Sequence, residues 1–168
     1  MHMRHLILAI LFCTTLNLAG QELAESKFSQ MTLNSITMDE LFSQHSDWNL
    51  FKTKMGNPIS ESVVPFDMVY EIQTFEYSGA VFTFSNFLRP FDFGKVVITS
   101  QSYAFLYDGL EIKVGNHINT VSQKFPNAYA TRTNGKIYMS HEFADIVLRI
   151  YYDSGNVITK IELFQDLI

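Results

Sequence analysis

Apolar positions along the chain keep two periods, and the change from one to the other divides it. Early on they recur at helical spacing. Thr37-x-x-Glu40 is a capping-box pattern just before Leu41-Phe42 and predicts a short helix. Asp47 is placed to cap a second helix, in which Trp48, Phe51 and Met55 share one face at i, i+3 and i+7. Gly56-Asn57-Pro58 ends it, with Gly past the last turn and Pro close behind. Upstream, Gln21 to Ser35 is polar with scattered Leu, Phe and Met, and reads as a loose lead with one helical turn.

From Met68 the period becomes two. Met68 to Tyr77 is rich in β-formers, and its alternation slips between Ile72 and Phe75, which reads as a bulge. Ser78-Gly79 is a tight turn, and Ala80, Phe82 and Phe84 line one face of the next strand. A long connection at 87–94 leads to strands Lys95 to Ser100 and Tyr103 to Tyr107. Asp108-Gly109 turns into a short strand, Leu110 to Val114, which Gly115-Asn116 breaks. A second helical stretch follows, with Ile118, Val121 and Phe125 on one face, Asn116 or Asn119 as cap and Pro126 as stop. Tyr129 to Arg132 and Lys136 to Ser140 flank an Asn134-Gly135 turn. In the final hairpin Ile146, Leu148, Ile150 and Tyr152 point inward, Ser154-Gly155 turns, and Val157, Thr159, Ile161 and Leu163 alternate back.

Two stretches match. Phe91-Asp92-Phe93-Gly94-Lys95-Val96-Val97 and Tyr152-Asp153-Ser154-Gly155-Asn156-Val157-Ile158 share aromatic-Asp-x-Gly-(Lys/Asn)-Val-(Val/Ile). The pattern predicts an α+β fold of two tandem units, 37–107 and 108–168, each a helix or helix pair on an antiparallel sheet, after a lead at 21–36.

Residues 1–20 form a different class of segment. A short basic start, the apolar run Leu6 to Phe12 and small residues ending at Gly20 read as a secretory signal peptide cleaved near Gly20. Even stretched from Leu6 to Ala19 the apolar run has 14 residues, against roughly 20 for a spanning helix, so no stable membrane anchor is expected. Cys13, the one cysteine, follows bulky Phe12 where a lipid-attachment site wants a small residue, and it leaves with the signal. The mature chain is then exported, periplasmic or extracellular, with neither disulfide nor thiol. Its 11 basic and 17 acidic residues, without a Lys/Arg cluster, argue against nucleic acid and against an anionic membrane surface. With 15 Phe and 8 Tyr, aromatic burial must supply much of the stability.

Val114-Gly115-Asn116-His117-Ile118-Asn119-Thr120-Val121, Phe125-Pro126, then Tyr152-Asp153-Ser154-Gly155-Asn156-Val157 with Ile161, resembles small secreted bacterial proteins of the β-lactamase-inhibitor-like fold. The likeness covers most of 110–164 and, more loosely, 37–107. Its motif positions are turns, caps and core, so it implies helices on one face of an antiparallel sheet, in tandem, and no activity. Members with a known role bind other proteins. The inhibitor's disulfides and the lipid cysteine of the fold's outer-membrane lipoprotein are both missing here.

Candidate chemistry is sparse. His141-Glu142-Phe143-Ala144-Asp145 has the outline of a zinc-protease motif with Asp last, but it lies between strands, and that motif needs a helix to bring both ligands to one face. His45 and His117 sit by helix starts and read as surface or capping residues. No nucleophile elbow or phosphate loop occurs. No metal, cofactor or catalytic residue is expected. One stretch stands out: the 87–94 connection carries Phe87, Leu88, Phe91 and Phe93 with Arg89, residue types that anchor protein interfaces, on a loop longer than its counterpart at 153–155. Phe87, Arg89, Phe91 and Phe93 are therefore the candidate contacts of a non-enzymatic module binding an unidentified protein through this loop or the sheet face. A carrier of a small ligand or lipid in the aromatic-rich interior is the alternative.

Overall fold

The computed structural model describes residues 22–43, 48–65, 70–86, 92–141 and 145–165. The expected signal peptide and cleavage point, His45, Asp47, and Phe87, Arg89 and Phe91 lie outside them. The strands are β1 (Glu22–Leu23), β2 (Thr32–Leu33), β3 (Ile36–Thr37), β4 (Ser60–Pro65), β5 (Glu71–Tyr77), β6 (Ala80–Ser85), β7 (Asp92–Ile98), β8 (Ala104–Tyr107), β9 (Leu110–Lys113), β10 (Lys136–His141), β11 (Ile146–Tyr152) and β12 (Ile158–Gln165). The helices are short: α1 (Glu25–Phe28), α2 (Met38–Ser43), α3 (Trp48–Met55), α4 (Asn119–Ser122) and α5 (Pro126–Ala130).

Eight strands form one sheet in the order β1-β10-β11-β12-β7-β6-β5-β4, antiparallel throughout except for the β1–β10 pair. Four more form a small antiparallel sheet, β3-β2-β8-β9. The α+β class, helices packed on antiparallel sheet, is thus what the chain adopts. Element by element, each half repeats: a hairpin (β2–β3 or β8–β9), two short helices (α2–α3 or α4–α5), then a meander (β4–β7 or β10–β12). The hairpins join through β2 and β8, and the meanders through β7 and β12, where Ile98 faces Ile161 and Val96 faces Leu163. The boundary drawn at 107/108 falls in the β8–β9 turn. The aromatic-Asp-x-Gly match does not mark equivalent places either. Gly155 lies in the β11–β12 turn and Gly94 inside β7.

Local chemistry explains most elements. Thr37 and Glu40 form the expected box: the Glu40 N–H donates to Thr37 Oγ1 at 3.1 Å, and the Thr37 N–H to Glu40 Oε2 at 3.0 Å. Gly56 closes α3 with φ +82° and an N–H bonded to the Lys52 carbonyl at 2.7 Å. Asn134 and Gly135 both take positive φ (51° and 71°), as the hairpin turn requires. Asn34 fastens one hairpin to the other. Its N–H donates to the Ala104 carbonyl, and its Oδ1 accepts from the Ala104 N–H, each at 3.0 Å.

The core lies between the helices and one face of the large sheet. Phe51 of α3 meets Phe75, Phe82 and Phe84 with ring centroids 5.0–5.7 Å apart. In the second half Ile118, Val121 and Phe125 are buried together, as their spacing predicts.

Several expectations need correcting. The lead expected at 21–36 is not loose over its described residues: β1 and β2 place Leu23 and Leu33 in the two sheets, fully buried, Met31 before β2 is fully buried too, and Phe28 of α1 nearly so. Pro126 does not end a helix. It opens α5 at the first position, where its missing N–H costs nothing and its fixed φ suits the helix. Tyr129 and Ala130 are consequently helical rather than strand. Neither Asn116 nor Asn119 caps α4 through its side chain. The Asn119 N–H donates to Nδ1 of exposed His117 at 3.2 Å instead. β4, which carries no inward alternation and is exposed along its length, was not foreseen. No register shift occurs in β5. It lies between β6 and β7, where Thr83 faces Lys95 but Phe84 faces Phe93, leaving Gly94 as the extra residue of a bulge. In the return strand a shift beside Tyr151 and Tyr152 buries Ile158 and exposes Thr159.

Candidate functional site

Of the four residues singled out in the 87–94 connection, only Phe93 is described, and it is not a surface contact. It is 2% exposed, with its ring 4.7 Å from Phe42 and 5.8 Å from Phe84. Strict alternation from outward Lys95 and Val97 would turn Phe93 outward as well. The bulge at Gly94 inverts that phase and drives the ring into the core.

The other face of the large sheet presents a cluster that the pattern of strands builds directly. β11 turns Val147, Arg149 and Tyr151 outward, and β12 turns Lys160, Glu162 and Phe164. β10 adds Lys136 and Tyr138, and β7 adds Lys95 and Val97. Register then sets these side chains in rows across four strands. Lys160, Tyr151 and Lys136 lie opposite one another in one row. Val97, Glu162, Arg149 and Tyr138 make the next, and Lys95, Phe164 and Val147 the third.

Glu162 is the centre, 5% exposed. Its Oε2 accepts from the Tyr151 hydroxyl at 2.9 Å and from Arg149 Nη1 at 3.2 Å, while Oε1 lies 3.1 Å from Lys160 Nζ and 3.4 Å from Lys95 Nζ. Burial by itself would push this carboxyl up. The hydrogen bonds from Lys160 and Tyr151 and the charges of Lys95 and Lys160 outweigh that, and hold it below the ordinary value of 4.5. Aromatic rings carry the cations. The Arg149 guanidinium lies over Phe164 at 4.7 Å and Tyr138 at 5.0 Å, and Lys160 and Lys136 flank the Tyr151 ring at 3.8 and 5.3 Å. Arg149 Nε is buried with no hydrogen-bond partner. One carboxylate thus serves three cations, and a fourth, Lys136, stands beside them. Tyr138, 39% exposed, is the open aromatic edge of the array.

None of these residues stood out in sequence. The signal was there, in the outward positions of the final hairpin, but it becomes visible only when Arg149 is read against Glu162 across the pair and Lys95 against Phe164 across the β7–β12 seam.

Elsewhere the chemistry is structural. His141 ends β10 with Nε2 2.8 Å from Glu25 Oε2 and its ring edge-on to Phe28 at 4.6 Å, so it ties α1 to the sheet. Among the described residues no three His, Cys, Asp or Glu side chains group as metal ligands do. A cleft beside Val63, Gln73, Phe84 and Asn86 has room for about one water. No helix among the described residues is long and apolar enough to cross a membrane.

No protein-family model matches the chain, and no curated protein does. Among solved structures it is similar to a cysteine-rich secretory protein from Staphylococcus aureus, at 12% identity and a TM-score of 0.44, over 87% of this chain and 51% of that one. The chain therefore spans about half the length of that protein.

Proposed function

We propose that this chain is an exported bacterial protein-binding module without catalytic activity, and that the open face around Arg149 and Tyr138 is its contact surface. The observation that carries the reading is this array of Arg and aromatic side chains on a sheet face that no described element covers. These are the residue types that dominate interface energetics, held in place by stacking so that little freedom is lost on docking. Export rests on the basic, apolar, small-residue pattern of residues 1–20. The resemblance to the β-lactamase-inhibitor-like fold is supported by the tandem order of hairpin, helix pair and meander. The connection carrying Arg89 and Phe91 is a second candidate contact, on composition alone.

Affinity capture from the native envelope tests the reading. Tyr138→Ala should leave the melting temperature nearly unchanged and weaken capture about thirtyfold, the scale of a 2 kcal/mol interface anchor. Capture undiminished in Tyr138→Ala would remove this face from the function. Phe91→Ala in the same assay decides for or against the loop.

A further inference from the structure

Lys95, Lys160, Arg149 and Lys136 place one cation on each of four neighbouring strands, β7, β12, β11 and β10. Among the described residues the one carboxylate within ion-pair distance of these cations is Glu162, shared by three of them. Other lysines are matched far more evenly: Lys52 with Glu61, Lys54 with Glu40, Lys113 with Glu111, and Lys27 and Lys124 together with Asp108. The face therefore holds a surplus of about three positive charges on a chain whose formal net charge is −5, so the rest of the chain is net negative. The nearest acid along the Glu162 row is Glu76, set apart by Val81 and Val97 and hydrogen-bonded by Ser60 at 2.8 Å.

From this charge pattern we infer that the partner bound at this face is a protein presenting an acidic segment, whose carboxylates take up the cations that Glu162 leaves unmatched. The inference rests on the binding reading above and names the partner's chemistry. Four strands at sheet spacing span ~14 Å, the reach of an extended segment of about five residues. Guanidinium and ammonium groups stacked on rings meet carboxylates without first being ordered. A bilayer of anionic lipid fits worse. It is a plane of charge wider than the protein and meets the negative remainder as well as the patch, whereas a narrow acidic segment meets the patch alone.

The test uses the full chain, a fluorescein-labelled hexaglutamate peptide and fluorescence anisotropy at low salt. The wild type should bind and lose affinity as salt rises. Lys136→Glu and Lys160→Glu should each weaken binding about tenfold. Lys113→Glu makes the same change in net charge on β9, in the other sheet, and should leave binding unchanged. Glu162→Gln should bind the peptide more tightly than the wild type does. No binding of hexaglutamate by the wild type, equal loss in Lys113→Glu, or binding to phosphatidylglycerol vesicles in preference to the peptide would each overturn the inference. Envelope capture separates the two claims. If capture needs Tyr138 but ignores Lys136→Glu and salt, the binding face stands and the acidic partner falls.

Discussion

Glu162 links charge to stability with a definite sign. Its carboxyl is held below the ordinary value of 4.5, so folding favours the ionised form. The stabilisation is fully present above that value and is lost as pH falls below it, through the folded-state value. Glu40, half-buried and held down first by the Lys54 hydrogen bond, and Asp108, exposed and held down first by that of Lys27, act in the same direction. Glu162→Gln should lower stability at pH 7 by about 1–3 kcal/mol, since several donors lose an ionised acceptor. It should also flatten the decline as pH falls below 4.5. Urea midpoints across that range, wild type against variant, check both; a variant that keeps the wild-type slope would place the acid sensitivity elsewhere. Glycine supplies a second contrast. Gly79 has φ +86°, and a Cβ there would lie 2.1 Å from Ser100 Cβ, while Gly56 has φ +82° and nothing within 4 Å. Gly56→Ala should cost about 1–2 kcal/mol, from backbone strain alone. Gly79→Ala should cost clearly more, because the β5–β6 turn must also move away from Ser100. Thermal melts of the two variants rank them. At this scale turns and caps are readable in sequence, because Gly79, Asn134 and the Thr37–Glu40 box act within a few residues. The role of Glu162 is not, since each of its partners but Lys160 comes from another strand.

Secondary elements were legible where the alternation was strict. Ile146, Leu148 and Ile150 alternate inward as read, and Ile150 has no exposed surface. Ile150→Ala should therefore cost about 2–5 kcal/mol, the range for truncating a large buried aliphatic chain. A denaturant midpoint shifted by less than the equivalent of about 0.5 kcal/mol would be a surface response, and would contradict the packing. Phase was lost wherever a bulge intervened. Gly94 inverts β7 and buries Phe93, and the shift beside Tyr152 buries Ile158 in place of Val157 and Thr159. An extra residue is a decision made by the paired strand, and the bulged segment alone carries at most a glycine to mark it, as in β7, and in β12 not even that. Pro126 misled for a related reason: the same ring that cannot continue one helix is well suited to start the next.

Over the whole molecule the two halves share both sheets, so neither keeps its core if the other leaves. Separating β7 from β12 would expose the edges beside Val96, Ile98, Ile161 and Leu163, all fully buried. The chain should unfold in one step. Hydrogen exchange should show β6 and β11, which flank the seam, losing protection with the same free energy. A β6–β7 unit opening several kcal/mol before β11–β12 would show the halves to be independent. Composition and period announced a tandem α+β chain, yet the order of its strands was not readable. The β2–β8 and β7–β12 pairings join segments roughly 63 to 74 residues apart, and only complementary surfaces in three dimensions choose them.

The parallel pairing of β1 with β10 has a consequence in time. Glu22 lies beside Ser140, so the first described strand waits for a partner made about 120 residues later. At about 5–20 residues per second that delay is on the order of ten seconds. Leu23 stays uncovered by its partner strand throughout it.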